Sequence, residues 1–189
     1  MHRNRSRRAF LYAALAAVPL TRRAVAQSTA ERLIAAMQDG GKIVYLHHLP
    51  PTDAAQAREI GRALRALRVP LNEILASPAA PARETAELAF GADRVSVAME
   101  LADEGDLGDR PPATLEAARR LLGTSPGPGM NRILVGHRAL LELAAERRFP
   151  APVFPDGAMA VFLPAPTPQL LGTITADRVI ASAKARGAM

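Results

Sequence analysis

Two short apolar runs, Ile43-Val44-Tyr45-Leu46 and Ile133-Leu134-Val135, limit the fold of this chain more than any other feature. Each is too short for a helix and lacks polar alternation, which is the pattern of a strand buried on both faces of a parallel sheet. Each is followed by apolar residues at helical spacing. After the first run, Thr52 or Asp53 is placed to cap a helix with Ala57, Ile60, Leu64 and Leu67 on one face, and Pro70 stops it. After the second come Leu140, Leu141 and Leu143.

The alternation extends along the chain. Ser28 and Glu31 form a capping-box pattern ahead of Leu33, Ile34 and Met37. A strand over Glu73 to Ala76 leads through Ser77-Pro78 into an Ala-rich helix, and Arg94 to Ala98 reads as a short third strand. An acidic loop from Glu100 to Asp109 precedes a helix opened by Pro111-Pro112, and the Gly/Pro-rich stretch from Gly123 to Met130 is a loop. Ala158 to Leu163 and Leu170 to Thr175, separated by a proline-rich turn, read as an antiparallel pair at a sheet edge. The expected fold is α/β: one domain over 27–180, a mostly parallel sheet with helices on both faces, and a disordered tail over 181–189.

Charge has to be located before it is interpreted. The chain carries 24 Lys plus Arg against 18 Asp plus Glu, a formal +6. The whole excess lies in residues 1–26, at Arg3, Arg5, Arg7, Arg8, Arg22 and Arg23, where there is no acid. A basic start, an apolar run from Ala9 to Leu20 and the small residues Ala24-Val25-Ala26 make a cleavable export leader, and Ser6-Arg7-Arg8-Ala9-Phe10-Leu11 resembles the twin-arginine signal. The run is shorter than the roughly 20 residues needed to span a bilayer. A periplasmic or secreted protein is expected, with the export machinery as the leader's partner. The neutrality of the remainder, in a chain with 4% aromatic residues and no Trp, argues against nucleic acid as a partner. The absence of cysteine removes disulfides, thiolate metal sites and a cysteine nucleophile.

Beyond the leader the chain has three histidines, His47, His48 and His137, and each falls at the carboxyl end of an expected strand, where ligand sites of open α/β sheets lie. Adjacent strand residues point to opposite faces, so at most one of His47 and His48 is expected to face a given pocket if the strand geometry holds to its end. Two imidazoles across such a cleft suit phosphoryl transfer: one attacks phosphorus and the other binds its oxygens.

These residues carry a family resemblance. An apolar strand ending in His48, then Ala76-Ser77-Pro78, then Ala82-Arg83-Glu84-Thr85-Ala86, and later Leu134-Val135-Gly136-His137, resemble in kind, order and spacing the motifs of the histidine phosphatase superfamily, whose fold is phosphoglycerate mutase-like. The resemblance implies that His48 is the nucleophile that becomes phosphohistidine, that His137 is the second imidazole of the phosphate pocket, and that a carboxylate after the third strand, Glu104 or its rival Glu100, is the proton donor. It implies no cofactor, and a small phosphorylated or anionic ligand.

Two departures accompany it. The family's two pocket arginines correspond to His47 and Pro81. Imidazole is mostly neutral above about pH 6.5 and has no bidentate fork, and proline has no donor. Loss of one such donor costs about 2.7–4 kcal/mol, or 10² to 10³ in rate. Arg138, beside His137, and Arg83 are the candidate replacements, with His47 as a third phosphate contact. Hydrolysis of phosphomonoesters, weak or lost, is therefore the first reading. A non-catalytic pseudophosphatase that binds an anion or a protein partner is the second. A metal site of the three histidines with Asp53 or Glu104 ranks below both, because the spacing is not that of metal ligands.

Overall fold

The computed structural model of the chain describes residues 29–102 and 112–187, so the leader and Glu104 lie outside the described residues. Helix α1 covers 29–38 and Gly40-Gly41 follow it. Then come β1 (Ile43–His47), α2 (Ala54–Ala66), β2 (Leu71–Ala76), α3 (Ala80–Phe90) and β3 (Val95–Val97). The second half holds α4 (Pro112–Gly123), β4 (Asn131–Gly136), α5 (Arg138–Ala144), β5 (Met159–Leu163), β6 (Gln169–Ile174) and α6 (Ala176–Ala185).

The strands form one six-stranded sheet in the order β3-β2-β4-β1-β5-β6. The first four are mutually parallel, while β5 runs antiparallel to both β1 and β6. The two apolar runs of the sequence are thus neighbours at the centre, with Tyr45 opposite Leu134. Their lack of polar alternation has a direct cause. Val44, Leu46, Ile133 and Val135 pack against Ile34, Ile60, Leu64 and Val179 on the face covered by α1, α2 and α6. The intervening Ile43, Tyr45 and Leu134 pack against Leu122, Leu140, Leu141 and Phe154 on the other. Each large apolar side chain so buried contributes about 1.5–3 kcal/mol, which makes this central pair the anchor of the sheet.

Two expectations need correction. Neither Thr52 nor Asp53 caps α2 through its side chain; the Thr52 hydroxyl donates to the Asp53 carboxylate at 3.1 Å instead. Pro50 and Pro51 preset the backbone for a 3-10 turn, Pro51–Asp53, closed by the Asp53 N–H on the Pro50 carbonyl at 3.0 Å. Residues 181–185, expected in a disordered tail, continue α6, because Val179, Ile180 and Ala183 form an apolar stripe buried against the sheet. Among the described residues no helix is long and apolar enough to cross a membrane.

Candidate active site

Parallel pairing of β1 with β4 sets His47 opposite Gly136, so the residues that leave the two strands, His48 and His137, emerge side by side. The His48 N–H donates to the Gly136 carbonyl at 3.1 Å. The His48 and His137 rings are 4.7 Å apart between centroids at 66°, and the His47 and His48 rings 5.1 Å apart at the same angle. The three imidazoles form one row. The strand alternation that would have sent His47 and His48 to opposite faces stops at His47, the last residue of β1.

Thr85 holds the residue that follows His48. Its hydroxyl accepts from the Leu49 N–H at 3.0 Å, donates to the Pro81 carbonyl at 2.7 Å and lies 3.4 Å from the Leu49 carbonyl. The Leu49 carbonyl in turn faces His48 Nδ1 at 3.2 Å. A carbonyl only accepts, so Nδ1 carries the proton of the neutral ring and the lone pair resides on Nε2, the tautomer of a nucleophile.

His137 is positioned from below. The Tyr45 hydroxyl donates to the His137 carbonyl at 3.0 Å and passes over Gly136, where a Cβ would run into that hydroxyl. This close approach is why glycine precedes the histidine. The buried Ser77 hydroxyl is 3.5 Å from His137 Nε2 and accepts from the Ala79 N–H at 3.3 Å.

His47 is 8% exposed. Its ring stacks on Phe154 at 5.7 Å and 14°. Nδ1 faces the Pro155 carbonyl at 3.3 Å and the Asp156 carboxylate, also at 3.3 Å. Both partners are acceptors, so this Nδ1 is protonated too. Pro155 to Ala158 make a tight turn closed by Ala158 N–H on the Pro155 carbonyl at 3.0 Å, with Gly157 at φ 75°. The turn is clamped to His47 by Gly157 N–H to the His47 carbonyl at 3.0 Å and His47 N–H to the Ala158 carbonyl at 2.9 Å. Burial pushes the His47 pKa below its ordinary value; the Pro155 and Asp156 contacts raise it, His48 and Arg138 lower it further, and the net shift is downward. At neutral pH His47 therefore turns a lone pair, not a cation, away from Asp156 through Nε2.

The remaining candidates are distributed unevenly. Arg138, the first residue of α5, is near enough for its charge to depress the His47 pKa. Arg83 is exposed and pairs with Glu87 one turn along α3 at 3.6 Å. Pro81 sits in the first turn of α3, where its missing N–H costs nothing. Glu100 lies in a 3-10 turn after β3. Asp53 lines a crevice with Pro81 and Thr85. Among the described residues no group of three or more His, Asp or Glu side chains is arranged to hold a metal ion. A separate cleft of about 750 Å³ opens between α4, α5 and the β5–β6 turn, and none of the imidazoles lines it.

Asp156 and Tyr45 were absent from the candidates read from the sequence. The tripeptide Pro155-Asp156-Gly157 is a turn signature, but nothing local says that the turn closes over His47.

No family model and no curated protein sequence matches the chain. Solved structures do. The protein histidine phosphatase SixA complexed with tungstate superposes with a TM-score of 0.53 at 16% identity, over 73% of this chain and 99% of that one. A phosphoserine phosphatase mutant from Entamoeba histolytica, in complex with phosphoserine, does so with a TM-score of 0.50 at 12% identity, over 72% and 98%. The sheet order, the helices on both faces and the antiparallel β5 and β6 give this chain the phosphoglycerate mutase-like fold found in these histidine phosphatases.

Proposed function

We propose that the chain is an exported member of the histidine phosphatase superfamily that hydrolyses phosphomonoesters slowly through a phosphohistidine on His48. One observation carries the reading: His48 Nδ1 is committed to the Leu49 carbonyl, so Nε2 holds a lone pair beside the His137 ring, 4.7 Å away. Nε2 attacks phosphorus, the P–O bond to the alcohol breaks, and the alcohol oxygen takes a proton from a carboxylic acid, for which Glu104 is the candidate and Glu100 the rival. Water then hydrolyses the phosphoryl group from His48. His137 and Arg138 are assigned to the phosphoryl oxygens, and Arg83, tied to Glu87, contributes less. Turnover is slow because His47 and Pro81 replace fixed positive charge, which is the dominant stabilising element for such a transition state.

Incubation with radiolabelled phosphoramidate tests this. Acid-labile label appears on the intact protein and is lost in His48→Ala. A wild-type protein that neither takes up label nor hydrolyses p-nitrophenyl phosphate overturns the enzyme reading. The second reading, a pseudophosphatase that only binds an anion, draws on Pro81 and the neutral His47; it predicts tungstate binding without label. On either reading the leader supports export to the periplasm or the exterior, and Arg7→Lys with Arg8→Lys should retain the precursor inside the cell.

A further inference from the structure

We propose that His47, oriented by Asp156, is the general base that activates water for hydrolysis of the phosphoryl group on His48, so that the residue standing in place of a pocket arginine has become a proton-transfer group. The inference rests on the phosphohistidine reading above and adds a role within it.

The geometry has three parts. The His47 ring is next to the His48 ring, with centroids 5.1 Å apart; the water assigned to His47 Nε2 attacks in line with the P–N bond, from the side of phosphorus away from His48. Nδ1 of His47 faces the carboxylate of Asp156 and the Pro155 carbonyl, which fixes the tautomer with Nε2 as the acceptor. The backbone clamp between His47 and Gly157-Ala158, with Phe154 stacked on the ring, makes the pair rigid. A carboxylate behind an imidazole both orients it and stabilises the imidazolium that forms when it takes a proton. His137 turns its Nε2 toward the Ser77 hydroxyl instead.

The step balances as follows. The water oxygen forms a bond to phosphorus while its proton passes to His47 Nε2. The P–N bond breaks and its electron pair returns to His48 Nε2. Inorganic phosphate leaves, and the His47 imidazolium returns its proton to solvent. The groups that set the protonation of His47 are His48 from its own strand end, Asp156 from the turn and Arg138 from α5, with burial the largest influence. Burial, His48 and Arg138 lower its pKa, the Pro155 carbonyl and Asp156 raise it, and the net downward shift favours the neutral ring, the state a base requires.

The test follows loss of label after excess phosphoramidate is removed, for the wild type, His47→Gln, Asp156→Asn and His48→Ala, with loss from the denatured phosphoprotein subtracted. Loss is followed as the fraction of the label that each protein first took up, so a difference in uptake does not enter the comparison. Loss is about 10² to 10⁴ slower in His47→Gln. It is slowed less in Asp156→Asn, whose exposed side chain makes that change safe for the fold. The wild-type rate falls on acidification as His47 gains a proton, and this limb disappears in His47→Gln. Loss at the wild-type rate with an unchanged pH profile in both variants overturns the role of His47 and leaves the phosphohistidine intact. Absence of label from the wild type overturns the phosphohistidine reading and this inference with it.

Discussion

Thr85 grips Leu49 from 36 positions away in sequence, taking the Leu49 N–H at 3.0 Å and lying 3.4 Å from the carbonyl that orients His48. A helix residue thus sets the tautomer of a side chain that it does not touch. Thr85→Val keeps the shape but leaves a buried N–H without its acceptor, at a cost of about 1–3 kcal/mol. Chemical denaturation should show that loss, and the yield of phosphoryl label should fall with it. Thr85→Ser should recover both.

Tyr45 and Gly136 should behave as a coupled pair. Gly136→Ala pushes a methyl into the Tyr45 hydroxyl and should cost about 1–3 kcal/mol. Tyr45→Phe removes the bond to the His137 carbonyl and should cost about 0.5–1.5 kcal/mol. Because Phe lacks the obstructing oxygen, the double variant should lose less than the sum, by about 0.5 kcal/mol or more. Strict additivity in urea melts would show that the hydroxyl does not lie over Gly136.

Acid should destabilise the fold through His47. Its folded-state pKa lies below the ordinary 6.5, chiefly from burial. The unfolded chain therefore takes up a proton near pH 6.5 while the folded chain resists. The stability arising from neutral His47 is complete above about pH 6.5 and is lost as the pH falls toward the folded-state pKa. Melting temperatures of the wild type and His47→Gln, compared across this range, should show the shallower decline in the variant.

Restoring positive charge should raise turnover. Pro81 occupies a first-turn position of α3 that needs no particular backbone donor, so Pro81→Arg should fold. A guanidinium there should increase the rate with p-nitrophenyl phosphate and tighten tungstate binding, each by about tenfold or more. An arginine that folds and changes neither would argue against a phosphate pocket beside α3.

Gly61 should tolerate no side chain. The backbone carbonyl of Ala89, in α3, occupies the space its Cβ would need, and α2 crosses α3 at that point. Gly61→Ala should cost about 1–3 kcal/mol despite the better helix propensity of alanine. A neutral or stabilised variant in thermal melts would rule out the close crossing.

The centre of the sheet was legible because Ile43 to Leu46 and Ile133 to Val135 are buried on both faces, and a strand so placed leaves a continuous apolar run in sequence. The helices after them were legible for the same kind of reason, since one apolar face repeats at a fixed spacing. α6 escaped because its stripe is short, rich in alanine and interleaved with charge. Within the site, the positions of His47, His48 and His137 followed from strand ends, while the contiguity of His47 with His48 did not. Strand periodicity says nothing about the path of the chain after the last paired residue. The contact between His47 and Asp156 was invisible for another reason: the residues that meet it are 108 positions away at Pro155, and no local pattern encodes a distance of that kind.

The placement of β1 between β4 and β5 bears on how the chain acquires its shape. Neither neighbour is close in sequence; Lys42 meets Asn131 across 89 positions, and His47 meets Pro155 across 108. Closing such loops is entropically slow. Until Met159–Leu163 has joined, β1 keeps one open edge while being apolar on both faces, the condition under which strands pair with the wrong molecule. Folding is then a whole-chain event, and the row of imidazoles at the ends of β1 and β4 depends on contacts drawn from both halves of the sequence. A truncation that removes the final hairpin would yield an aggregate instead of a smaller working domain.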